Sequence, residues 1–393
     1  MIFKRTLILA LMAIAVSSCT MINKEQVKRP VDSPEVYKSA FLKSDLEGIE
    51  AMQCRWWLAF NDEKLKAIIE EAFLSNPSLL QKLARFEQYV ASFRVSRSRQ
   101  LPGVSAEANA LRSRTPLATG HSTAESQSLS LAANFEVDLW SKIRNRKNAA
   151  RYDALATKQD VYSMYLSLSA ELASLYYLAI EQRAQLALTN NTIRSFETVT
   201  ELVEQRYKEG LVSAVDVYHA RQTLNATRAR APQLEASLAQ TEHAISILLG
   251  RYPERGTSGE LKELPKLSET FPVGIPSTLL KTRPDIEAAL LRLKASDRRV
   301  SAAIADRFPA INLIANYGES RTILDPSNIT GIYFNAIAQA AMPLLDWGGR
   351  RNEVKRSKAV FKEKLERYKE VVLIAFKEVE DALVKNRTIE EEI

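Results

Sequence analysis

Glycine and proline are scarce in this chain, 12 and 14 of its 393 residues. Both punctuate helices and strands, so their scarcity predicts long uninterrupted elements. Cysteine is scarcer still. Cys19 and Cys54 are the only two, and with His121, His219 and His243 they show no metal-ligand spacing, which argues against zinc or redox chemistry. Also missing are a phosphate-cradling glycine loop, a nucleophile elbow and an HExxH pair, while the paired acids Glu378 and Glu380 sit on a charged helical surface. Neither an enzyme nor a bound cofactor is expected. A formal charge of +7 is mild for this length. The densest basic run, Arg94-Val95-Ser96-Arg97-Ser98-Arg99, falls on an amphipathic helix, where it reads as a solvated or subunit-facing stripe and not as a nucleic-acid reader. With 46% hydrophobic and 26% charged residues, the composition is that of folded protein.

What is present begins with an address. Lys4-Arg5 precede an apolar run from Leu7 to Val16, followed by Ser17-Ser18-Cys19. A charged start, a short apolar core and small residues before a cut describe a secretory signal over residues 1–18, too short to span a bilayer. The small residues before Cys19 resemble the bacterial lipobox, which implies cleavage there and a covalent lipid on the thiol. An ordinary signal peptide with a coincidental cysteine is the plainer alternative. Thr20 stands where an Asp would signal retention at the inner membrane, so the outer membrane is the expected destination. With Cys19 lipidated, Cys54 has no disulfide partner within the chain.

The mature chain repeats itself. Asn76-Pro77-Ser78-Leu79 recurs as Arg283-Pro284-Asp285-Ile286, and Leu101-Pro102-Gly103-Val104 as Phe308-Pro309-Ala310-Ile311. Trp140 and Asn145 recur as Trp347 and Asn352, every pair separated by 207 positions. A constant offset over several landmarks marks an internal duplication. The first repeat covers residues 19–250 and the second 276–393, with a linker over 251–275. Each copy runs helix, proline, two strand-like segments, then a long helix.

The strands are read from alternation. Leu129, Leu131, Ala133, Phe135, Val137 and Leu139 alternate with Ser128, Ser130, Asn134, Glu136 and Asp138. Val104, Ala106, Ala108 and Ala110 alternate with Ser105, Glu107 and Asn109, and Ile311, Leu313, Ala315 and Tyr317 with Asn312 and Asn316. Such a segment is apolar on one face and polar on the other, as a strand of a membrane-spanning barrel must be. Strands are expected at about 103–112, 128–139, 309–318 and 332–344, the last alternating less cleanly. One such strand alone would fit a half-buried position in a soluble sandwich. Four strands cannot enclose a water-filled barrel, so several copies would have to share one.

Between Trp140 and Gly210 there is neither Gly nor Pro. Val161, Tyr165, Leu168, Leu172, Leu175, Ala179, Leu186, Ile193, Phe196, Val203 and Tyr207 recur close to a 3.5-residue period, the seam of a coiled coil. At ~1.5 Å per residue such a helix is roughly 100 Å long. Gly210 ends it, and a second helix returns to Leu249 with a kink at Pro232, making a helical hairpin over about 141–249 with its tip near 210.

These residues resemble the TolC-like outer-membrane efflux lipoproteins. The likeness is carried by Trp56-Trp57, Phe60, Asp62, Leu65 and Asn76-Pro77, by Phe135-Glu136-Val137-Asp138-Leu139-Trp140, by Arg206-Tyr207-Lys208-Glu209-Gly210-Leu211-Val212-Ser213 with Asp216-Val217, and most specifically by Ile275-Pro276-Ser277, Leu279-Leu280 and Arg283-Pro284-Asp285-Ile286. The resemblance implies an α plus transmembrane-β fold and a homotrimer. Each protomer would give four strands to a twelve-stranded barrel and helical hairpins to a periplasmic α-barrel. It implies an exit duct to which an inner-membrane RND-type transporter is coupled by a periplasmic adaptor. Gly210, Leu211, Val212 and Ser213 would form a tip that the adaptor grips. Asp216 matches an acidic position used in links that hold the periplasmic entrance shut, and reads equally as a first-turn acid favoured by the helix dipole. A helix from about 349 would begin a second hairpin whose tip and returning helix fall beyond Ile393, so a fragment or a truncated, non-functional relative is expected. A lipid-anchored periplasmic coiled-coil spacer or adhesin is the competing reading. The transported substrate is not legible.

Overall fold

The computed structural model describes residues 55–118, 120–256, 283–324 and 327–392. The signal segment, Cys19, Cys54, most of the 251–275 linker and the run from Ile275 to Leu280 lie outside the described residues.

After a 3-10 turn at Trp56–Phe60, the first repeat supplies helices α1 (Glu63–Ser75) and α2 (Pro77–Ser98), strands β1 (Gly103–Leu117) and β2 (Gly120–Val137), and helices α3 (Lys142–Lys208), α4 (Ala214–Arg228) and α5 (Ala231–Leu248). The second supplies α6 (Pro284–Ala305), β3 (Ala310–Leu324), β4 (Ser327–Ala341) and α7 (Gly349–Glu392). Among the described residues no helix is long and apolar enough to cross a membrane.

Several helix starts follow side-chain caps. Asp62 Oδ1 accepts from the backbone N–H groups of Lys64 and Leu65 at 2.9 and 3.0 Å, opening α1. Asn76 Oδ1 accepts from Leu79 N at 2.8 Å, and Pro77, which has no N–H to satisfy, takes the first turn of α2. Both strand-to-helix joints use an aspartate. Asp138 accepts from Ile143 and Arg144 at the start of α3, and Asp346 from Gly348 and Arg350 at the start of α7.

The main core gathers the N-terminal segment onto the upper half of α3. Trp57, Leu65, Ile69, Leu79, Leu168, Leu172, Tyr176, Ile180, Ile245 and Leu249 are all buried there. The residues that carried the sequence resemblance near the N-terminus are thus mostly packing residues and caps. Ser75 Oγ donates to Leu249 O at 2.7 Å and Asn76 Nδ2 to Leu248 O at 2.7 Å, tying the α1–α2 corner to the end of the returning hairpin. Gly250, at φ +69°, lets the chain pass so close that an added Cβ would lie 2.5 Å from Ser75 O. Burial raises the Tyr176 phenol well above its ordinary range and, with the nearby Asp62 charge, pushes Tyr177 up to about 12.

The four strands form one antiparallel sheet in the order β1-β2-β3-β4. They run past the alternating segments. Pairing continues to Leu117↔Gly120 and to Leu324↔Ser327, while β2 ends at Val137 and β4 at Ala341, short of the expected 139 and 344. The register also resolves the fourth strand. Phe334, Ala336, Ala338 and Ala340 oppose the apolar set of β3, with Ile332 on the same face opposite Glu319, while Tyr333, Asn335, Ile337 and Gln339 oppose its other set. Small alanines on one face and Ile337 on the other had blurred the pattern. The break in the returning helix also differs in detail. α4 stops at Arg228 and α5 restarts at Ala231, so Pro232 sits in the first turn of a new helix and does not kink a continuous one.

Candidate functional site

Two regions carry the function-bearing geometry: the end of the helical hairpin and the two faces of the sheet. At the hairpin end, Gly210 adopts φ +75°, the left-handed conformation that glycine takes at no steric cost. Gly210 N donates to Tyr207 O at 3.0 Å and Leu211 N to Arg206 O at 2.9 Å, the paired bonds of a Schellman stop. Ser213 then opens α4 with a capping box. Its Oγ accepts from Asp216 N at 3.3 Å, while Asp216 Oδ2 accepts from Ser213 N at 2.8 Å and Ser213 Oγ at 2.7 Å. The Ser213 hydroxyl and backbone bonds hold the Asp216 carboxyl below the ordinary carboxylate range. Leu211, Val215 and Tyr218 are 69%, 60% and 70% exposed around this turn. Val215 and Tyr218 extend the apolar tip beyond the four residues expected from sequence. They were missed because they lie past the glycine, within the returning helix.

Behind the tip, α3 packs against α4 and α5 along a heptad seam. Leu186, Thr189, Ile193, Phe196, Thr200 and Val203 on α3 are buried or half-buried, as are Val217, Ala220, Leu224, Thr227, Ala231, Leu234 and Leu238 opposite. The 3-4 spacing passes through the break at 229–230 without a phase change, so one seam serves both helices. Ion pairs flank it on one antiparallel register: Glu204 with Arg221 at 2.7 Å, Glu197 with Arg228 at 2.6 Å one heptad on, and Arg183 with Glu242 at 3.1 Å two heptads further. At its other end α3 changes partner. There Asp160–Arg292, Asp153–Arg299 and Arg146–Asp306 link it to α6, again one heptad apart. No periodicity in the sequence had marked this second ladder, because it joins the two repeats.

The sheet has two unlike faces. Directly opposed residues share a face, so the register gathers Val104, Ala106, Leu129, Leu131, Phe135, Leu313, Tyr317, Ile332 and Phe334 on one side. Leu129, Leu131, Phe334 and Ile332 are exposed. On β3 this apolar band runs from Ile311 to Tyr317, roughly 20 Å of strand at ~3.4 Å per residue, before Glu319 and Arg321 end it. The opposite face carries Ser105, Glu107, Asn109, Ser128, Ser130, Asn312, Asn316 and Asn335, with Asn316 Nδ2 donating to Asn335 Oδ1 at 2.9 Å. Gly318 lies on this polar face, where an added Cβ would collide with Leu129 O and come within 2.6 Å of Ser130 Cβ. Among the described residues no cluster of His, Cys, Asp or Glu could hold a metal ion.

Comparison with known proteins gives a consistent set. The sequence profile described as outer membrane efflux protein matches residues 68–251 and 275–393. The chain is 28% identical to the probable efflux pump outer membrane protein TtgC of Pseudomonas putida, over 99% of this chain and 82% of that protein. Among solved structures, a membrane protein from Pseudomonas aeruginosa superposes with a TM-score of 0.79 at 29% identity, covering 84% of this chain and 78% of that one. The outer-membrane channel OprN superposes with a TM-score of 0.78 at 26% identity, covering 86% and 77%.

Proposed function

The chain belongs to the outer membrane efflux protein family, and from that premise we propose that it is the exit duct of a tripartite efflux system, passing substrates from the periplasm to the outside without chemistry of its own. The observation that carries this reading is the two-faced sheet. Its apolar face suits lipid and its polar face suits water, as the wall of a membrane barrel requires. Four strands cannot close around a water-filled pore, and β1 and β4 are left as open edges. Open edges are not tolerated in hydrocarbon, so three copies would complete a twelve-stranded barrel with none.

The remaining parts fit that assembly. The long hairpin carries the duct into the periplasm. Its tip, Gly210, Leu211, Val212 and Ser213 with Val215 and Tyr218 beside them, offers exposed apolar surface to a periplasmic adaptor, and through it to an RND-type transporter. Asp216 stands one turn inside the tip, where its carboxylate both closes the capping box and could accept a link from a neighbouring helix at the entrance. A lipid on Cys19 would hold the N-terminus at the inner surface of the outer membrane. A lipid-anchored spacer would share the hairpin but has no use for four strands with an exposed apolar face.

The test is conductance. The full chain, purified in detergent and added to planar lipid bilayers, is expected to give stable ionic currents, and to restore drug resistance to cells lacking their own duct. Tight membrane association with no current and no rescue would favour the spacer or a non-functional relative of the duct.

A further inference from the structure

The β1–β2 and β3–β4 hairpins are copies 207 positions apart, and of all their cross-strand pairs only one recurs with both residues unchanged. Arg114 opposes Thr123 in the first hairpin, and Arg321 opposes Thr330 in the second. The surrounding run Ser113-Arg114-Thr115 likewise recurs as Ser320-Arg321-Thr322. The next pair on the same face was not kept: Arg112–Glu125 in the first hairpin is Glu319–Ile332 in the second. Each arginine stands four residues past the last apolar member of the band on its strand, Ala110 on β1 and Tyr317 on β3.

Position tells what these residues face. Alternate residues of a strand share a face, so Arg114 lies on the side of Val104 and Arg321 on the side of Leu313, both with the apolar band. At this level the other face carries Ser113, Ser122, Ser320 and Thr322 and no charge, so the arginines do not line the watery side. The feet of the strands join the helices, which puts the two arginines toward the opposite, outward end of the sheet. Four residues make ~14 Å of strand, or about 10 Å along the axis once the strands tilt, which lifts a guanidinium from the edge of the hydrocarbon into the headgroup layer. Arg114 and Arg321 are exposed, and neither has an ion-pair partner among the described residues, whereas Arg112 holds Glu125 at 3.1 Å.

We propose that the Arg114–Thr123 and Arg321–Thr330 pairs each bind a phosphate group of an outer-leaflet lipid, and so fix the depth of the duct in the membrane. The proposal rests on the reading of the sheet as a barrel wall and adds a ligand to its lipid side. A guanidinium presents paired N–H donors that match two phosphate oxygens. The threonine opposite, its Cβ about 4.5–5.5 Å away, adds a hydroxyl donor. The register lets the two pairs share one height. Along the hydrogen-bonded row Arg321 lines up, through Gln127, with Ala110, four residues short of Arg114. Tilted strands impose a stagger of this kind on residues at one level of a barrel.

Shape and charge favour a lipid over a free ion. A shallow depression of about 540 Å³ is lined by Arg321, Thr330 and Gln127 on its outward side and by Ala108, Ala110 and Leu129 toward the band. A ligand seated there meets donors at one end and apolar side chains at the other, as a headgroup phosphate and its first acyl carbons require. Two acids share this face. Glu125 is engaged by Arg112. Glu319 also lines the depression and repels a phosphate placed below Arg321, which leaves the level of Arg321 and Thr330 as the favourable one.

Native mass spectrometry of the full chain, purified as an oligomer in neutral detergent, reads lipid retention directly. The probes are lipid A bearing its sugar phosphates, the same lipid after phosphatase treatment, and inorganic phosphate. Phosphorylated lipid A should be retained, and the dephosphorylated form should not compete with it. Arg114→Gln combined with Arg321→Gln should weaken retention by roughly 10-fold or more at each site, the loss of a charge-assisted contact, and lysine at both positions should restore part of it. Arg112→Gln removes an arginine from the same face that the second repeat lacks, and should change retention by less than about threefold. An equal loss on Arg112→Gln would reduce the effect to general positive charge and overturn the paired site. Displacement of lipid A by an equal concentration of inorganic phosphate would mark a free-anion site and overturn the lipid as occupant. Bilayer conductance on the same preparations separates the remaining outcomes. Conducting protein that retains no lipid A, or retains it equally without the two arginines, overturns the phosphate sites and leaves the duct standing. Protein that neither conducts nor retains lipid A overturns both.

Discussion

Arg183 and Glu242 meet across the helical hairpin at 3.1 Å, and Glu242 is the more enclosed partner, its side chain only 6% exposed against 21% for Arg183. The second oxygen of the same carboxylate accepts from Gly256 N at 2.9 Å. This pair therefore differs from the two further along the ladder, which are a third to a half exposed. Removing the cation strands a carboxylate with little water around it, so Arg183→Ala is expected to cost about 2–3 kcal/mol, whereas Arg221→Ala or Arg228→Ala should cost about 1 kcal/mol or less. Thermal or urea unfolding followed by helical circular dichroism checks the ranking. Equal costs at all three positions would mean that the enclosure of Glu242 carries no energetic weight.

The hairpin tip makes a prediction about pH. Bonds from Ser213 depress the folded Asp216 carboxyl relative to the unfolded chain, so the cap's contribution is full above the unfolded carboxylate range and is lost as pH falls through the lower folded value. Exchange of the first amides of α4, corrected for the intrinsic rate, should therefore quicken below about pH 4 in the native protein. It should already be several-fold faster at neutral pH in Asp216→Asn. A native profile with no such step would remove the capping box as the source of order at the tip.

Much of this architecture was legible before the structure, for identifiable reasons. The duplication showed because its landmarks are prolines and tryptophans at joints, where few substitutes serve. The strands showed wherever one face meets the apolar band. They faded at their ends, where Arg112 pairs with Glu125 across the strands at 3.1 Å and neither face is apolar. The long helix showed through its seam, but its change of partner did not. Asp153 and Arg299 lie 146 positions apart, and periodicity reveals a stripe without naming what covers it. At the tip, the Gly210 stop could be anticipated from one glycine between two heptad runs. The role of Asp216 in the cap needed the Ser213 hydroxyl placed beside it.

The corner between the N-terminal segment and the hairpin is tight enough to forbid a methyl group. Gly250 combines φ +69° with a backbone approach to Ser75. Gly250→Ala should destabilise the fold by about 2 kcal/mol or more, the left-handed penalty of about 1–2 kcal/mol being augmented by the clash. Asn76→Ala, which loses both the α2 cap and the bond to Leu248 O, should cost about 2–3 kcal/mol. The two changes strain the same corner, so the double variant should lose less than the total of the two, as unfolding midpoints of all three would reveal. Strict additivity would mean that the corner is not one unit.

The inter-repeat ladder makes the last prediction, and it depends on an asymmetry. Burial raises the Asp153 carboxyl above its ordinary range, although Arg299 opposes that rise by charge and by hydrogen bond. A raised folded value means the folded state holds the proton more tightly than the unfolded one, so this carboxyl weakens the fold as pH rises through that value. Asp153→Asn should then be tolerated, within about 1 kcal/mol, because an amide can still accept from Arg299 without the charge. Arg299→Ala should cost about 2–3 kcal/mol at neutral pH, since it leaves the half-enclosed carboxylate with its desolvation and without its chief partner. Protonation relieves that situation, so the gap between Arg299→Ala and the native chain should narrow as pH is lowered from 7.5 toward 5. Asp153→Asn combined with Arg299→Ala should show no such narrowing. Thermal midpoints of the four proteins at the two pH values give the answer. A gap that stays constant between pH 7.5 and 5 would place the pair among ordinary surface ion pairs and remove Asp153 as a buried element of the joint between repeats.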